Sequence, residues 1–349
     1  MEGMVMKQRV LVTGSEGYIG SVLMPMLLAE GFEVAGLDVC YYADGNLTRA
    51  TLPSYPVMRQ DVRDVVSKDL EGFDAVIHLA ALSNDPLGFL DENLTFDINY
   101  RGSVRLAEAA REAGVKRFVF ASSCSLYGFA DKVLTEEDEA NPQTAYGKSK
   151  VMAEQTISQL ATASFSPTFM RNATAYGISP RMRFDLVVNN LAGYAQTEGE
   201  IKILGDGTPW RPLVHIRDIS AACIAVLQQP QAVVHNQAFN VGNDQENFQI
   251  KTIAEHIKKY YTRCEVSIAQ KDAGDTRNYR VGFAKLKDRL GFEVAVSLDD
   301  GISEIHSAYT AIPLTSGIFA DPLYTRLRQI QRLLREDRIN SALRWMTAR

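Results

Sequence analysis

Tyr146 and Lys150 stand four residues apart at the start of a stretch that is predicted to form a helix, Tyr146 to about Ala161. Side chains at this spacing share one face of a helix. A tyrosine hydroxyl has an ordinary pKa of about 10, too high for a base near neutral pH, but a neighbouring ammonium group lowers that pKa. The pair could therefore take a proton from a substrate hydroxyl, although the same spacing is common on helix faces that have no chemical role.

Ser123 is a further candidate, because it ends the predicted strand Arg117–Ser123. The C-terminal edge of a parallel sheet presents side chains to a bound ligand. A hydroxyl there can donate a hydrogen bond to a substrate oxygen that becomes carbonyl-like during oxidation. The ordinary alternative for one such serine is a turn or cap hydroxyl. Taken with Tyr146 and Lys150, Ser123 predicts a three-residue catalytic site.

Three glycines, Gly14, Gly17 and Gly20, follow a short apolar strand and lead into an apolar helix that is predicted to run to about residue 30. Such a strand–turn–helix predicts a pyrophosphate-binding loop. The first glycine permits the tight turn, the second lets the backbone approach the phosphates, and the third lets the helix lie close to the strand. The amides at the helix N-terminus, beginning with Tyr18 and Ile19, would point at the phosphates. The sequence therefore predicts a dinucleotide cofactor.

Asp38 ends the next predicted strand, eighteen residues beyond Gly20. A carboxylate at this position accepts hydrogen bonds from a ribose hydroxyl and repels a 2′-phosphate, which favours NAD over NADP. Asp61 and Val62 follow another strand-like segment, residues 55–59. We predict that these two residues lie at the adenine end of the same site.

Strands and helices alternate through the first half of the chain, which predicts an α/β fold with a doubly wound parallel sheet, a Rossmann fold, and a smaller C-terminal substrate-binding lobe. We assign residues 1–173 to the NAD-binding domain, with a return of the chain to it at 213–242, and residues 174–349 mainly to the substrate lobe. The tail, residues 321–349, has an amphipathic pattern and is predicted to form a helix that docks on this protein or on a second copy. Other predicted elements are the strands 32–37, 74–81 and 166–171 and a helix over 99–113.

The composition narrows the function classes. Hydrophobic residues make up 46% of the chain and charged residues 23%, as in a soluble globular protein. The net charge of −5 disfavours non-specific binding to nucleic acid. No run approaches the roughly 20 apolar residues that cross a bilayer, so we expect no membrane partner. The four cysteines are far apart, which indicates reduced thiols and a cytoplasmic location, and we expect no metal site.

The motifs together resemble those of the extended short-chain dehydrogenase/reductases, and within them the NAD-dependent nucleotide-sugar epimerase/dehydratase group. The resemblance covers roughly residues 8 to 305 and implies a homodimer that binds NAD. It implies that Ser123, Tyr146 and Lys150 are catalytic. It also implies that Asn99 and the segment Leu79, Ala80 and Ala81 contribute to the cofactor site. The motifs that carry it are Thr13-Gly14-x-x-Gly17-x-x-Gly20, His78-Leu79-Ala80-Ala81, Asn99, Ser122-Ser123-x-x-x-Tyr127-Gly128 and Tyr146-x-x-x-Lys150.

The second half of the chain resembles the part of this group that binds the nucleotide diphosphate sugar. Arg211 matches the arginine that binds the diphosphate, and a guanidinium suits phosphate geometry. The full set of substrate-binding residues that the resemblance implies is Ser123, Thr174, Arg183, Asn190, Leu204, Arg211, Asp275 and Arg277. Thr174 departs from the asparagine that is usual in the epimerases.

Cys124 and Ser125 follow the candidate serine, where the related 4,6-dehydratases carry an acidic pair that eliminates water. Neither side chain serves as that acid and base at neutral pH, so dehydration is disfavoured. The leading expectation is an NAD-dependent nucleotide-sugar epimerase that acts at C4 through a 4-keto intermediate. The alternatives are a nucleotide-sugar 4-dehydrogenase or ketosugar reductase, which need the same three residues, and a non-catalytic dinucleotide sensor or scaffold.

Overall fold

A computed structural model describes residues 7–83, 91–269 and 277–346 of the chain. Its centre is a seven-stranded sheet in which every neighbouring pair of strands is parallel. The spatial order is β3-β2-β1-β4-β5-β7-β11, so the chain reverses direction across the sheet between β1 and β4. In such sheets, ligands bind at this point, beyond the carboxyl ends of the strands. The doubly wound parallel sheet that the sequence predicted is therefore confirmed.

The central strands of this sheet are buried on both faces. In β1, Val10 and Val12 pack into one hydrophobic core and Leu11 packs into the other. Successive side chains of a strand point to opposite faces, which explains the uninterrupted apolar run. The bounds are β1 Arg9–Thr13, β2 Glu33–Asp38, β3 Val57–Arg59, β4 Ala75–His78, β5 Arg117–Ser123, β7 Ser166–Asn172 and β11 Gln237–Val241.

Helices cover both faces of the sheet. Helices α1 (Gly20–Ala29) and α6 (Ile216–Gln228) supply the core on one face, and α3 (Gly102–Glu112) and α4 (Ala145–Ser158) supply the core on the other. The helix predicted over 99–113 begins earlier than expected, with α2 (Glu92–Thr95), and Asn99 lies in a π-helical turn that joins α2 to α3. Asp91 caps α2 by accepting from the backbone N–H groups of Asn93 and Leu94.

Most of the remaining elements surround a second hydrophobic core, and the others, residues 129–134, 231–234, 278–281 and 284–290, pack into the core of the large sheet. Strands β8, β10 and β12 form a three-stranded sheet, β9 pairs with β13, and β6 pairs with β14. The bounds of these elements are β6 Phe129–Leu134, β8 Thr174–Tyr176, α5 Val187–Glu198, β9 Glu200–Leu204, β10 Trp210–His215, α7 Gln231–Val234, β12 Asn247–Gln249, α8 Ile250–Tyr260, β13 Glu265–Ala269, β14 Asn278–Val281, α9 Ala284–Leu290, α10 Leu298–Ala311 and α11 Ser316–Ala320.

The predicted return of the chain at 213–242 needs a correction at its start. Leu213 lies in β10, which pairs with β8 and β12 and not with the large sheet. The strand that joins the large sheet is β11, and α6 packs against that sheet. The pairing of β10, the middle strand of its sheet, could not be anticipated, because its partners lie more than thirty residues away on both sides.

The C-terminal tail folds onto the same chain. Its helix is α12 (Arg326–Arg335), shorter than the 321–349 stretch with the amphipathic pattern, and an isolated bridge between Ile339 and Trp345 closes the segment that follows. Ile330 and Leu333 of α12 are buried in a small core with Tyr41 of the loop that follows β2. The tail therefore packs beside the C-terminal edge of the large sheet.

Among residues 7–83, 91–269 and 277–346, no helix is both long enough and apolar enough to cross a membrane. The same ranges contain no group of three or more His, Cys, Asp or Glu side chains that could hold a metal ion.

Candidate active site

The glycine turn between β1 and α1 is packed backbone against backbone. Gly14 has a φ of +74°, and a Cβ built on it would lie 2.8 Å from the amide nitrogen of Ala80. A Cβ on Gly20 would lie 2.3 Å from the carbonyl oxygen of Gly14. The turn therefore excludes side chains at both positions and leaves the N-terminus of α1 open to an anion.

A cavity lies directly over this turn. It is lined by the turn itself, by the loops that follow β2, β3 and β4, and by two arginines, Arg183 and Arg326. The predicted cofactor residues in its wall are Gly14, Gly17, Tyr18, Ile19, Asp38, Asp61, Val62, Leu79, Ala80 and Ala81. A cavity with a glycine turn, a helix N-terminus, a strand-end carboxylate and cations fits a dinucleotide, whose diphosphate is anionic and whose riboses carry hydroxyls.

Asp38 presents its carboxylate at the end of β2. One oxygen accepts the N–H of Glu16 at 3.0 Å and the other accepts the N–H of Cys40 at 2.7 Å. Burial raises the pKa of Asp38 to about 6, against these stabilising bonds, so the group is still charged at neutral pH. Each carboxylate oxygen can accept more than one hydrogen bond, so the group retains capacity for a ribose hydroxyl.

Asp61 lines the cavity, but its carboxylate is already paired. It lies 2.7 Å from a guanidinium nitrogen of Arg63 and 3.2 Å from one of Arg344. Burial opposes ionisation of Asp61, yet the hydrogen bonds from Arg63 hold its pKa below the usual value. The sequence pointed to the position but not to these partners, since Arg344 is about 280 residues away along the chain.

Two polar side chains, those of Asn99 and His78, hold the turn after β4 through four hydrogen bonds. The side-chain amide of Asn99 accepts the N–H of Leu82 at 2.7 Å and donates to the carbonyl oxygen of the same residue at 3.0 Å. His78 bonds through Nδ1 to Thr13 at 2.6 Å and through Nε2 to Ser103 at 2.8 Å. Burial lowers the pKa of His78 to about 3, so this imidazole is neutral. Asn99 and His78 thereby fix the cavity wall formed by residues 79–82.

Lys150 lies between the end of β5 and the ring of Tyr146. Its Nζ donates to the carbonyl oxygen of Ala121 at 2.6 Å and sits 4.6 Å from the ring centroid of Phe120 and 5.8 Å from that of Tyr146. Burial lowers the pKa of Lys150 to about 8. Tyr146 is half-buried in the first turn of α4, a turn that Thr144 caps by accepting from the N–H of Gly147.

Ser123 and Ser122 are distinguished by the pleat of β5. Ser123 is half-buried at the end of the strand, and its Oγ accepts the N–H of Ser125 at 3.2 Å. Ser122 is 3% exposed, and its Oγ has no hydrogen-bond partner within the described part of the chain. The next residue, Cys124, is fully buried and its thiol donates to the carbonyl oxygen of Arg171.

The residues predicted on the substrate side are more scattered. Asn190 donates to the carbonyl oxygen of Phe184 at 2.8 Å, and Leu204 is 67% exposed at the end of β9. Arg211 is buried and donates to the backbone carbonyl of Arg277, so those two residues do meet. Thr174 begins β8 and is half-buried, and Asp275 lies outside the described residues.

Arg183 was predicted to contact the substrate, but it lines the cavity over the glycine turn. Its guanidinium is held by Asp185 through two contacts of 3.0 Å and also donates to Ser83. Burial lowers the pKa of Arg183, but the carboxylate of Asp185 raises it by more, so the pKa lies above its usual value. A permanently charged group therefore lines the cavity whose residues fit a dinucleotide.

Several cavity residues were missed at the sequence level, chiefly Tyr41, Tyr42, Gln60 and Arg326. A signal for Arg326 was present. It precedes the buried Ile330 and Leu333 by four and seven residues, so an arginine occupies a position in the apolar stripe of α12. An arginine at a buried position of a helix indicates that another group binds its charge. The amphipathic pattern alone does not identify that group.

Comparison with known proteins gives one family and consistent relatives. The family model described as NAD dependent epimerase/dehydratase family matches residues 10–242. The UDP-glucose 4-epimerase of Corynebacterium glutamicum is 30% identical to this chain, over 81% of the chain and 90% of that protein. The UDP-glucose 4-epimerase of Lactobacillus helveticus is 31% identical, over 67% of the chain and 76% of that protein.

Solved structures agree with this result. MoeE5, in complex with UDP-glucuronic acid and NAD, superposes with a TM-score of 0.76 at 28% identity and covers 87% of this chain and 99% of its own. The Thermus thermophilus UDP-glucose 4-epimerase, in complex with NAD, has a TM-score of 0.75 at 27% identity with the same coverage.

Proposed function

Because this chain belongs to the NAD-dependent epimerase/dehydratase family, we propose that it is a nucleotide-sugar epimerase that inverts C4 through a 4-keto intermediate. The protein is an enzyme and its cofactor is NAD. The relatives from Corynebacterium glutamicum and Lactobacillus helveticus are both named UDP-glucose 4-epimerase, which makes UDP-hexoses the first substrates to examine.

The observation that carries this proposal is the position of Lys150. Its ammonium group is buried between the end of β5 and the ring of Tyr146. A cation there favours the phenolate form of Tyr146, which can then take the proton of the sugar 4-hydroxyl. Ser123, on the same strand end, donates to the sugar oxygen as it becomes a ketone.

NAD bound in the cavity over the glycine turn would supply the redox chemistry, a reversible transfer of hydride at C4 of the sugar. For the configuration to invert, the keto-sugar must turn its other face to the same residues before the proton and hydride return. We propose that Arg211 keeps the diphosphate anchored during this rotation, because its buried guanidinium suits phosphate geometry. Tyr146 then returns the proton to the sugar oxygen, and no net oxidation results.

Dehydration is disfavoured by the residues after Ser123. The thiol of Cys124 is fully buried and donates to a backbone carbonyl, and burial raises its pKa well above the usual value. Ser125 is 4% exposed. Neither offers the acid and base that elimination of water requires. The homodimer and the cytoplasmic location that the sequence suggested stay predictions.

The experiment that tests the function begins with denaturation of the purified protein and identification of the nucleotide that is released. The protein is then incubated with UDP-, GDP- and dTDP-hexoses, and the products are identified by proton NMR. We expect the C4 epimer of one or more of these sugars. Net formation of NADH or loss of water would contradict the proposal.

Tyr146→Phe separates an enzyme from a dinucleotide sensor with the same fold. Removal of the phenolic hydroxyl is expected to lower turnover by about 10²- to 10⁴-fold, because a positioned acid–base group contributes that much. The NAD content should stay that of the wild type. Unchanged turnover of every active sugar by Tyr146→Phe would overturn the assignment of Tyr146.

A further inference from the structure

Arg326 is a buried cation in the wall of the dinucleotide cavity. It is 3% exposed, and no ion pair joins it to a carboxylate of the described residues. Its partners are neutral: it donates to the carbonyl oxygen of Arg181 at 3.0 Å and lies 4.0 Å from the ring centroid of Tyr42. A buried guanidinium without an anion is costly, which indicates that an anion joins it.

The charge around Arg326 points the same way. Arg183 lines the same cavity, and its charge is balanced by Asp185. Burial, with the cation of Arg183, lowers the pKa of Arg326 to about 10, so both guanidinium groups are charged at neutral pH. Asp38 lines the same cavity and raises the pKa of Arg326 electrostatically, but no ion pair joins the two side chains. Arg326 is therefore a buried cation without a direct carboxylate partner among the described residues.

The anion that this cavity is built to accept is a diphosphate. Gly14, Gly17 and the N-terminus of α1 line the cavity together with Arg326. Backbone N–H groups at a helix N-terminus and a guanidinium are complementary donors for phosphate oxygens. The dinucleotide is therefore the ligand that brings an anion to both.

The rest of the tail contacts the loops that follow β2 and β3. The side chain of Gln329 donates to the carbonyl oxygen of Tyr41 at 2.9 Å. The indole N–H of Trp345 donates to the carbonyl oxygen of Val39 at 2.5 Å. Arg344 pairs with Asp61, which follows β3. The loops after β2 and β3 both line the cavity, so the tail ties down the side predicted to hold the adenosine.

We propose that the C-terminal segment 321–346 is a third part of the NAD site, in which Arg326 binds the diphosphate and the contacts of Arg344 and Trp345 hold the adenosine side closed. NAD then stays with the protein from one turnover to the next. This role concerns the binding of NAD alone, so it can be tested without the sugar reaction.

Arg326→Met tests the role of the cation, with Arg328→Met as its matched control. Arg328 lies on the same helix and is exposed. The readouts are NAD released per chain on denaturation, the dissociation constant for NAD by calorimetry without sugar, and the thermal melting temperature of each protein. We expect the dissociation constant for NAD to rise about 10-fold or more in Arg326→Met, since the loss of a hydrogen bond to a charged group has an effect of that size. Arg328→Met should stay within twofold of the wild type, and Arg326→Lys should fall between the two.

A second variant, Arg344→Ala with Trp345→Ala, tests the fastening of the loops. We expect NAD to dissociate several-fold faster from it than from the wild type. NAD affinity within twofold of the wild type in Arg326→Met would overturn the proposal. So would a 10-fold loss of UDP binding with NAD unchanged, which would assign the cation to the sugar nucleotide. If Arg326→Met does not fold, wild-type NAD retention by both Arg326→Lys and the double variant would overturn it.

Discussion

The ammonium nitrogen of Lys150 donates a hydrogen bond of 2.6 Å to the carbonyl oxygen of Ala121. This bond joins the first turns of α4 to the end of β5, and Ala121 is two residues before Ser123. The relationship places a buried positive charge beside Tyr146 and at the C-terminal edge of the sheet. The proposed acid–base chemistry depends on that charge.

Lys150→Met is expected to lower turnover about 100-fold, in the range of a lost acid–base contribution, and to move the pH optimum upward. The reason is that Tyr146 must then lose its proton without a neighbouring cation. The measurement is the pH profile of turnover for the active sugar. Lys148→Met is the control, because Lys148 is exposed on the same helix. An unshifted optimum in Lys150→Met would contradict the role of Lys150.

Ser123→Ala and Ser122→Ala are expected to differ sharply, although the residues are adjacent. Loss of the Ser123 donor should reduce turnover by about 10²- to 10³-fold, as for other donors to a developing oxyanion. Ser122→Ala should leave both turnover and stability near the wild type, because its buried Oγ has no partner among the described residues. Steady-state kinetics of the two variants is the measurement. Equal losses of turnover in the two variants would contradict the assignment of Ser123 as the catalytic serine.

Gly20→Ala is expected to destabilise the protein by about 1–3 kcal/mol and to abolish NAD retention, because the added methyl group would lie 2.3 Å from the carbonyl oxygen of Gly14. Gly317→Ala is the control. A Cβ there meets nothing closer than the Thr315 Oγ at 3.8 Å. Denaturant unfolding and the NAD content of both variants check this. Full NAD content in Gly20→Ala would refute the close packing of the turn.

Acid should destabilise the protein in part through His78. Burial holds its pKa at about 3, whereas an exposed histidine has a pKa of about 6.5. The unfolded state therefore binds more protons between these values, and stability is lost as the pH falls through this window. The expected share of His78 between pH 7 and pH 5 is about 2 kcal/mol.

The check is urea unfolding of the wild type and His78→Asn at pH 7 and pH 5, with the same concentration of NAD. His78→Asn should be less stable at pH 7, because the bonds to Thr13 and Ser103 change. Between pH 7 and pH 5, the free energy of unfolding of His78→Asn should fall by about 2 kcal/mol less than that of the wild type. Equal losses in the two proteins would mean that His78 is not held neutral by the fold.

The large sheet was predictable because its strands carry local signals. Strand β5 was predicted with the bounds that the structure has, Arg117–Ser123, since both faces of that strand are buried and its sequence is almost continuously apolar. The short parallel pair β6–β14 was not predicted. Its partners, such as Asn278 and Phe129, are about 150 residues apart, and the pairing leaves no local pattern.

The glycine turn and the Tyr146–Lys150 pair were also predictable, because turn geometry and helical spacing are properties of short segments. The contribution of the tail was not. Arg326 reaches the cavity only because α12 folds back on the loop after β2, and Arg344 meets Asp61 for the same reason. Contacts of this kind are set by the packing of the tail core, which no short segment specifies.

The central claim is that one hydride leaves C4 of a nucleotide sugar and returns to the same carbon. It is tested most directly by incubating the enzyme, with its bound NAD, with the active hexose nucleotide carrying deuterium at C4. We expect the C4 epimer to retain the deuterium at C4 as the substrate and product equilibrate, with no NADH accumulating. Loss of the label to solvent, or a keto-sugar that accumulates with stoichiometric NADH, would contradict the account.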